Sequence, residues 1–305
     1  MISFARSILI GSFQSGTGVL YATIGEVIVQ RAGIVNLGIE GTMLMGASVG
    51  FAITVETGSA VLGLLAAALA GGLFNLILGL LVVTRRANQL ASGLALMFFG
   101  VGLSSLIGNP YVGKLIGGFD EFEIPGLASI PFAGPIFFNN DILAYLVIPV
   151  AILAWWVLYH TRWGLSVRAV GENREVAYAA GLRPSMIQYQ ALFVGGALAG
   201  IGGAHLSLVV AEYWVEWMTG GRGFIAIALV GFAMWHPIKA IYGAALFGGA
   251  IAFQLQLQAR GAPISPFILD MLPYLLTLGV LLIWGRGKWH VVPEGLKEVF
   301  AGTDK

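Results

Sequence analysis

Residues 59–83 read Ser59-Ala60-Val61-Leu62-Gly63-Leu64-Leu65-Ala66-Ala67-Ala68-Leu69-Ala70-Gly71-Gly72-Leu73-Phe74-Asn75-Leu76-Ile77-Leu78-Gly79-Leu80-Leu81-Val82-Val83. No charged side chain interrupts the run. A helix rises about 1.5 Å per residue, so this length crosses a hydrocarbon core of roughly 30 Å. Similar runs recur near 7–28, 33–53, 90–107, 141–159, 188–211, 221–235, 240–258 and 267–285. The expected fold is therefore all-α: a polytopic transmembrane bundle of about nine spans. The run at 221–235 is short and bounded by glycine, which predicts a tilted, broken or re-entrant segment.

Composition agrees. Of 305 residues, 58% are hydrophobic and 10% charged, against about 25% charged in an ordinary soluble domain. Mean hydropathy is +0.87. The 44 glycines follow no collagen-like period and suit helices that approach closely in lipid. A net charge of +1 gives no reason to invoke nucleic acid, and the absence of cysteine excludes a disulfide framework or thiol chemistry. The start of the chain, Arg6 followed by an apolar run, faintly resembles a signal peptide. Its Gln14, Ser15, Thr17 and Glu26 point instead to a retained first span.

Lysine and arginine set the orientation. One side of the expected membrane keeps only Arg6, Lys114, Arg222 and Arg260. The other collects the rest, including Arg31, Arg85, Arg86, Arg162, Arg168, Arg174, Arg183, Lys239, Arg286, Lys288, Lys297 and Lys305. The second side is expected to be cytoplasmic, with the N-terminus outside and the C-terminus inside. Residues 108–140 form an outer loop and 160–187 the largest cytoplasmic loop. Residues 1–305 read as one membrane domain, with no room after Arg286 for a soluble catalytic unit.

Enzyme signatures are weak. Gly108-Asn109-Pro110-Tyr111-Val112-Gly113-Lys114 matches the front of a phosphate-binding loop, but Leu115 stands where a Mg²⁺-binding hydroxyl belongs. His160, His205, His236 and His290 are scattered, so a metal site is not expected. No G-x-S-x-G elbow occurs.

The cytoplasmic loop carries more. Its Gly171-Glu172-Asn173-Arg174-Glu175-Val176-Ala177-Tyr178-Ala179-Ala180-Gly181-Leu182-Arg183-Pro184 predicts a helix of two or three turns over about 172–180. Acidic residues occupy the first turn, glycine suits the position after the last, and proline blocks continuation. By itself this is also what a solvated connector looks like.

This loop resembles the coupling loop of ABC importer permeases, and more narrowly those serving branched-chain amino acids, simple sugars and nucleosides. Arg31-Ala32-Gly33-Ile34-Val35-Asn36-Leu37-Gly38-Ile39-Glu40-Gly41 is a second match. Gly223-Phe224-Ile225-Ala226-Ile227-Ala228-Leu229-Val230-Gly231, followed by Pro237 and Gly243-Ala244-Ala245-Leu246-Phe247-Gly248, is a third. The Asn36-Leu37-Gly38-Ile39-Glu40-Gly41 form is similar to permeases paired with lipoprotein-type nucleoside-binding proteins, whereas simple-sugar permeases more often carry an Asp-Leu-Ser-type version. The resemblance implies a plasma-membrane protein of a prokaryote, in the inner membrane of a Gram-negative cell. It implies a second permease subunit, more often a different chain than a second copy. It also implies two cytoplasmic ATPases, or one tandem ATPase, and an extracytoplasmic binding protein. ATP would be used by the ATPase, with no cofactor bound by this chain. Gly171, Glu172, Asn173, Glu175, Ala179, Ala180 and Gly181 would form the docking surface.

Polar residues within spans mark pathways or hold helices together. Asn36 and Glu40 are four apart and would share a helix face in a Gly-rich stretch where the helix could break. Asn88, Gln89 and Ser92 are further pathway candidates, with Glu26, Asn75, His205, Gln254 and Gln256 behind them. Gly46/Gly50 and Gly196/Gly200 form G-x-x-x-G pairs expected to serve packing. An ion-driven secondary transporter, with Glu26 and Glu40 as proton or cation sites, is the other reading these residues allow.

Overall fold

The computed structural model describes residues 2–120, 122–126, 128, 130, 134–261, 264–284 and 292–300. Arg286, Lys288, His290 and Lys305, used above for orientation and chemistry, lie outside these. The described chain is mostly helical. Helix α1 covers Ile2–Arg31, α2 Ile39–Thr57, α3 Ala60–Gly79 and α4 Gln89–Gly108. After the short α5 (Gly134–Phe137) come α6 (Ile142–His160), α7 (Arg162–Glu172) and α8 (Arg174–Ala179). Then follow α9 (Pro184–His205), α10 (Arg222–Phe232), α11 (Pro237–Ala259), α12 (Pro266–Asp270), α13 (Leu272–Trp284) and α14 (Glu294–Phe300). A hairpin of two-residue strands pairs Phe122 with Asn140 and Glu123 with Asn139 between α4 and α6.

Among the described residues, five helical segments are long and apolar enough to cross a membrane: Ala60–Thr84, Gln89–Tyr111, Ile142–His160, Pro184–Val210 and Pro237–Ala259. Helices α1 and α2, expected as spans at 7–28 and 33–53, are long but more polar, and their position explains why. Both are surrounded by other helices, with α1 packed between α9 and α11 and α2 between α3, α4 and α9. Their buried side chains include Thr17, Thr23, Glu26, Gln30, Glu40 and Thr42. A helix that meets protein on all sides can carry polar groups, provided each finds a partner. The helix α3 is the opposite case. Val61, Leu65, Leu69, Leu73 and Ile77, four residues apart, are all exposed, the stripe an apolar solvent would wet.

Glycine brings the central helices together. A Cβ added at Gly71 of α3 would stand 2.9 Å from the Gly200 Cα of α9, and one at Gly46 of α2 would strike Gly200 as well. The G-x-x-x-G pairs therefore pack helices, as their spacing predicts. The helix ladder widens by one residue at the ends of α3 and α9, where Arg85 N donates to Leu80 O and Ala211 N to Leu206 O.

The short segment at 221–235 becomes α10. Its 11 residues rise only ~16 Å, about half of a hydrocarbon core. Arg31 Nε donates to Trp235 O (3.0 Å), pinning the chain just beyond the C-terminal end of α10 beside the end of α1. The N-terminus of α10 therefore lies deep among the helices.

Candidate functional site

Two places gather the residues singled out in the sequence. The first is the break between α1 and α2, residues 32–38. Gly33, at φ +82°, turns the chain out of α1, a conformation that costs glycine little. The non-helical residues that follow expose backbone donors inside the protein, and side chains meet them. Asn36 N donates to Glu26 Oε1 (3.0 Å), Val35 N to Gln89 Oε1 (2.9 Å) and Gly38 N to Asn36 Oδ1 (2.9 Å).

A ladder of buried polar groups surrounds the break. Gln30 Nε2 donates to Glu26 Oε1 (2.8 Å), and Trp235 Nε1 to Gln30 Oε1 (2.7 Å). Asn75 Oδ1 accepts from Asn36 Nδ2 (3.0 Å) and Thr42 Oγ1 (2.8 Å), while its Nδ2 donates to Leu192 O (3.2 Å). Asn75 thus ties α3 to α9, to α2 and to the break. Gln188 Nε2 donates to Ala32 O (3.1 Å).

Glu40, in the first turn of α2, does something else. Its Oε1 accepts from Thr219 Oγ1 (2.5 Å) and Gly221 N (2.7 Å), and its Oε2 from Gly223 N (2.6 Å). The carboxylate caps the N-terminus of α10, where unpaired backbone N–H groups and the helix dipole favour negative charge. It is fully buried. A Cβ at Gly223 would stand 2.6 Å from Glu40 Cα, so glycine there admits the close approach. Tyr274 of α13 closes the turn by donating to Gly220 O (2.6 Å).

The expectation that Asn36 and Glu40 share a helix face is corrected here. Asn36 precedes the helix and points toward Asn75, while Glu40 points toward α10. The other pathway candidates also separate. Asn88 is exposed and caps α4, its Oδ1 accepting from Ala91 N (2.9 Å). Gln89 holds the break. Ser92 is buried on α4 one turn beyond Asn88.

The second place is the loop 160–187, which folds as two helices. Thr161 caps α7 by accepting from Gly164 N (3.1 Å). The expected helix over 172–180 begins later and is shorter: Gly171 and Glu172 end α7, and α8 starts at Arg174. Asn173 is the reason. Its backbone is extended, and its Oδ1 accepts from Glu175 N (3.0 Å) and Val176 N (2.9 Å), the bonds of an N-cap. At the far end Gly181 has φ +86°, Gly181 N donates to Tyr178 O and Leu182 N to Ala177 O. That is a glycine-terminated helix end. Ala179 and Ala180 are exposed, as are Val176 and Tyr178. Arg174 donates to Ser185 Oγ (2.9 Å); partial burial and the nearby Arg86 charge hold its guanidinium pKa below the ordinary value.

The sequence reading missed Thr219 and the partner of His205. Asp141 caps α6, its Oδ1 accepting from Leu143 N and Ala144 N, and its Oδ2 lies 3.4 Å from His205 Nε2 in a buried pair. Asp141 directly precedes an apolar run, which is the signal for a cap; nothing in the sequence announces its meeting with His205. Among the described residues no three His, Asp or Glu side chains gather as metal ligands.

A helical bundle with apolar outer faces and a polar break within it has the make-up of a multi-pass membrane protein. The chain belongs to the family described as the permease component of branched-chain amino acid transport systems, whose model matches residues 7–283. It is 37% identical to a putative glucose ABC transporter permease of Haloferax volcanii, over 92% of each chain. It is 34% identical to the guanosine ABC transporter permease NupQ of Bacillus subtilis, covering 85% of this chain and 86% of that one. It is also 34% identical to a nucleoside ABC transporter permease of Lactococcus lactis, covering 88% and 89%. A second guanosine permease protein of Bacillus subtilis, NupP, is 27% identical over 77% of this chain. No solved structure matches.

Proposed function

We propose that this chain is the membrane half of an ATP-driven importer of nucleosides. The observation that carries the reading is the loop 160–187. It presents an exposed short helix, fixed at both ends by Asn173 and Gly181, on a protein whose relatives are ABC permeases for nucleosides and sugars. Val176, Tyr178, Ala179 and Ala180 form the surface an ATPase would grip, with Glu172 and Glu175 at its edge. The apolar runs support about nine membrane crossings, and the lysine and arginine distribution supports an N-terminus outside and a C-terminus inside. The setting is a prokaryotic plasma membrane. The partner permease is a different chain, an assignment supported by two Bacillus subtilis guanosine permease proteins each resembling this one. An extracytoplasmic binding protein delivers the cargo. Sugar import is the second reading, favoured by the Haloferax volcanii relative.

The test is uptake by the complex reconstituted with its ATPase and binding protein. Labelled adenosine or guanosine should enter with ATP and be competed by unlabelled nucleoside, but not by glucose, ribose or leucine. Competition by glucose alone would replace nucleoside with sugar. Uptake by this chain without ATP, on an imposed ion gradient, would replace the motor. Gly181→Trp probes the docking helix. Space is open around Gly181, but its positive φ resists any side chain. The variant should reach the membrane normally and import several-fold less; wild-type uptake would remove the docking assignment.

A further inference from the structure

Three glycines from distant parts of the chain meet beneath the α1–α2 break. A Cβ at Gly33 would stand 3.2 Å from Gly171 Cα, and one at Gly171 would run into the Arg31 carbonyl. A Cβ at Gly295 would stand 2.8 Å from Gly171 O. Helix α7 of the loop 160–187, the break, and α14, the last described helix, therefore cross backbone to backbone. Packing this close leaves no compressible side chain between them, so a displacement of one is felt by the others.

Two further contacts make α14 part of this crossing rather than a loose tail. Leu296 and Val299 of α14 are buried in a cluster with Val35 of the break. Glu172, the last residue of α7, accepts from Glu294 N at the start of α14 (3.1 Å). Val35 is in turn held to α4 through Gln89. The underside of the break is thus α14, and α14 is bound to the helix that leads into α8.

We propose that α14 is a transmission element, with Leu296 as its positioning residue. It holds the break against α7, so that movement of the loop 160–187 reaches the segment bearing Asn36 and Glu40, and through Glu40 the half-length helix α10. This rests on the reading of 160–187 as the motor's docking loop. Without α14 the loop could still bind its ATPase, but its movement would spread into a slack contact.

The experiment compares uptake with ATP hydrolysis in the full reconstituted complex. Leu296→Ala should leave complex yield and ATP hydrolysis at wild-type levels and lower uptake per ATP by about twofold to thirtyfold, the range expected for a residue that carries coupling without touching ligand. Leu296→Met, which refills the volume, should restore the ratio. Val299→Ala, a smaller deletion, should shift it in the same direction. Equal uptake per ATP in both alanine variants overturns the inference and leaves the docking loop standing. So does a loss of complex yield that accounts for the whole fall in uptake. A wild-type complex in which ATP drives no uptake removes the docking reading, and this inference with it.

Discussion

The α10 N-terminus and the α8 N-terminus are built alike and situated oppositely. In each, one side chain accepts from the first backbone N–H groups of a short helix: Glu40 for α10, Asn173 for α8. Glu40 is fully buried and serves a distant segment, whereas Asn173 sits on the surface and serves its own neighbours. Water can replace Asn173. Nothing can replace Glu40, because the donors it satisfies are enclosed by α2, α10 and the turn before α10. The same capping chemistry therefore fixes a tertiary join in one place and, in the other, the shape of the exposed helix proposed to dock the ATPase.

The sharpest way to break this contrast is to remove both carboxylate oxygens. Glu40→Ala strands the Thr219 hydroxyl and the Gly221 and Gly223 N–H groups. Each unmade buried bond costs about 1–3 kcal/mol, and more where the lost partner is charged. The variant should give little monodisperse protein, melt well below wild type and import nothing. Glu40→Gln keeps the shape but turns an N–H group toward other donors, so it should fall between. A Glu40→Ala protein with wild-type melting would mean that α10 holds its place without the carboxylate, and the contrast would be lost.

Sequence and structure agree where the physics is local. The run at 59–83 and the glycine end of α8 each depend on residues within a few positions, and each is legible in the chain. Even there, Asn173 shows a limit. The pattern puts it inside a helix over about 172–180, but an asparagine at a helix start is worth more as a cap than as a helical residue, so α8 begins at Arg174, two residues later. The joins that matter most are not local. Glu40 meets residues about 180 positions away, and the crossing of Gly33, Gly171 and Gly295 spans nearly the whole chain. Glycine and glutamate at these positions look alike whether they face lipid, water or each other. The polarity of α1 and α2 was visible, but only packing shows that it lies inside the bundle.

A medium effect is expected at the exposed member of the pair. Replacing an asparagine cap by alanine costs typically about 1 kcal/mol, and a six-residue helix has little internal stability to absorb it. Asn173→Ala should leave membrane yield and melting near wild type, since water solvates the freed donors, and reduce ATP-driven uptake several-fold. Asn173→Asp, an equally good cap, should keep uptake. If Asp fails as badly as Ala, Asn173 acts through contact with the ATPase and not through the shape of α8.

The smallest effect belongs to Asn88, the third cap in the series. It is exposed like Asn173, but it starts a 20-residue helix that Gly41 fixes tightly, since a Cβ there would stand 2.9 Å from Met97 O. A lost cap of about 1 kcal/mol or less is spread over that packing, so Asn88→Ala should leave both melting and uptake close to wild type. Asn88→Asp should match it, because either variant leaves α4 in place. This separates two roles that the sequence could not. A residue on the cargo's path would be sensitive to charge, and Asp would then impair uptake while Ala spared it or changed competition among substrates. Equal, near-normal uptake in both variants limits Asn88 to its helix. Unequal uptake with unchanged melting would return it to the pathway and extend the transport route to the start of α4.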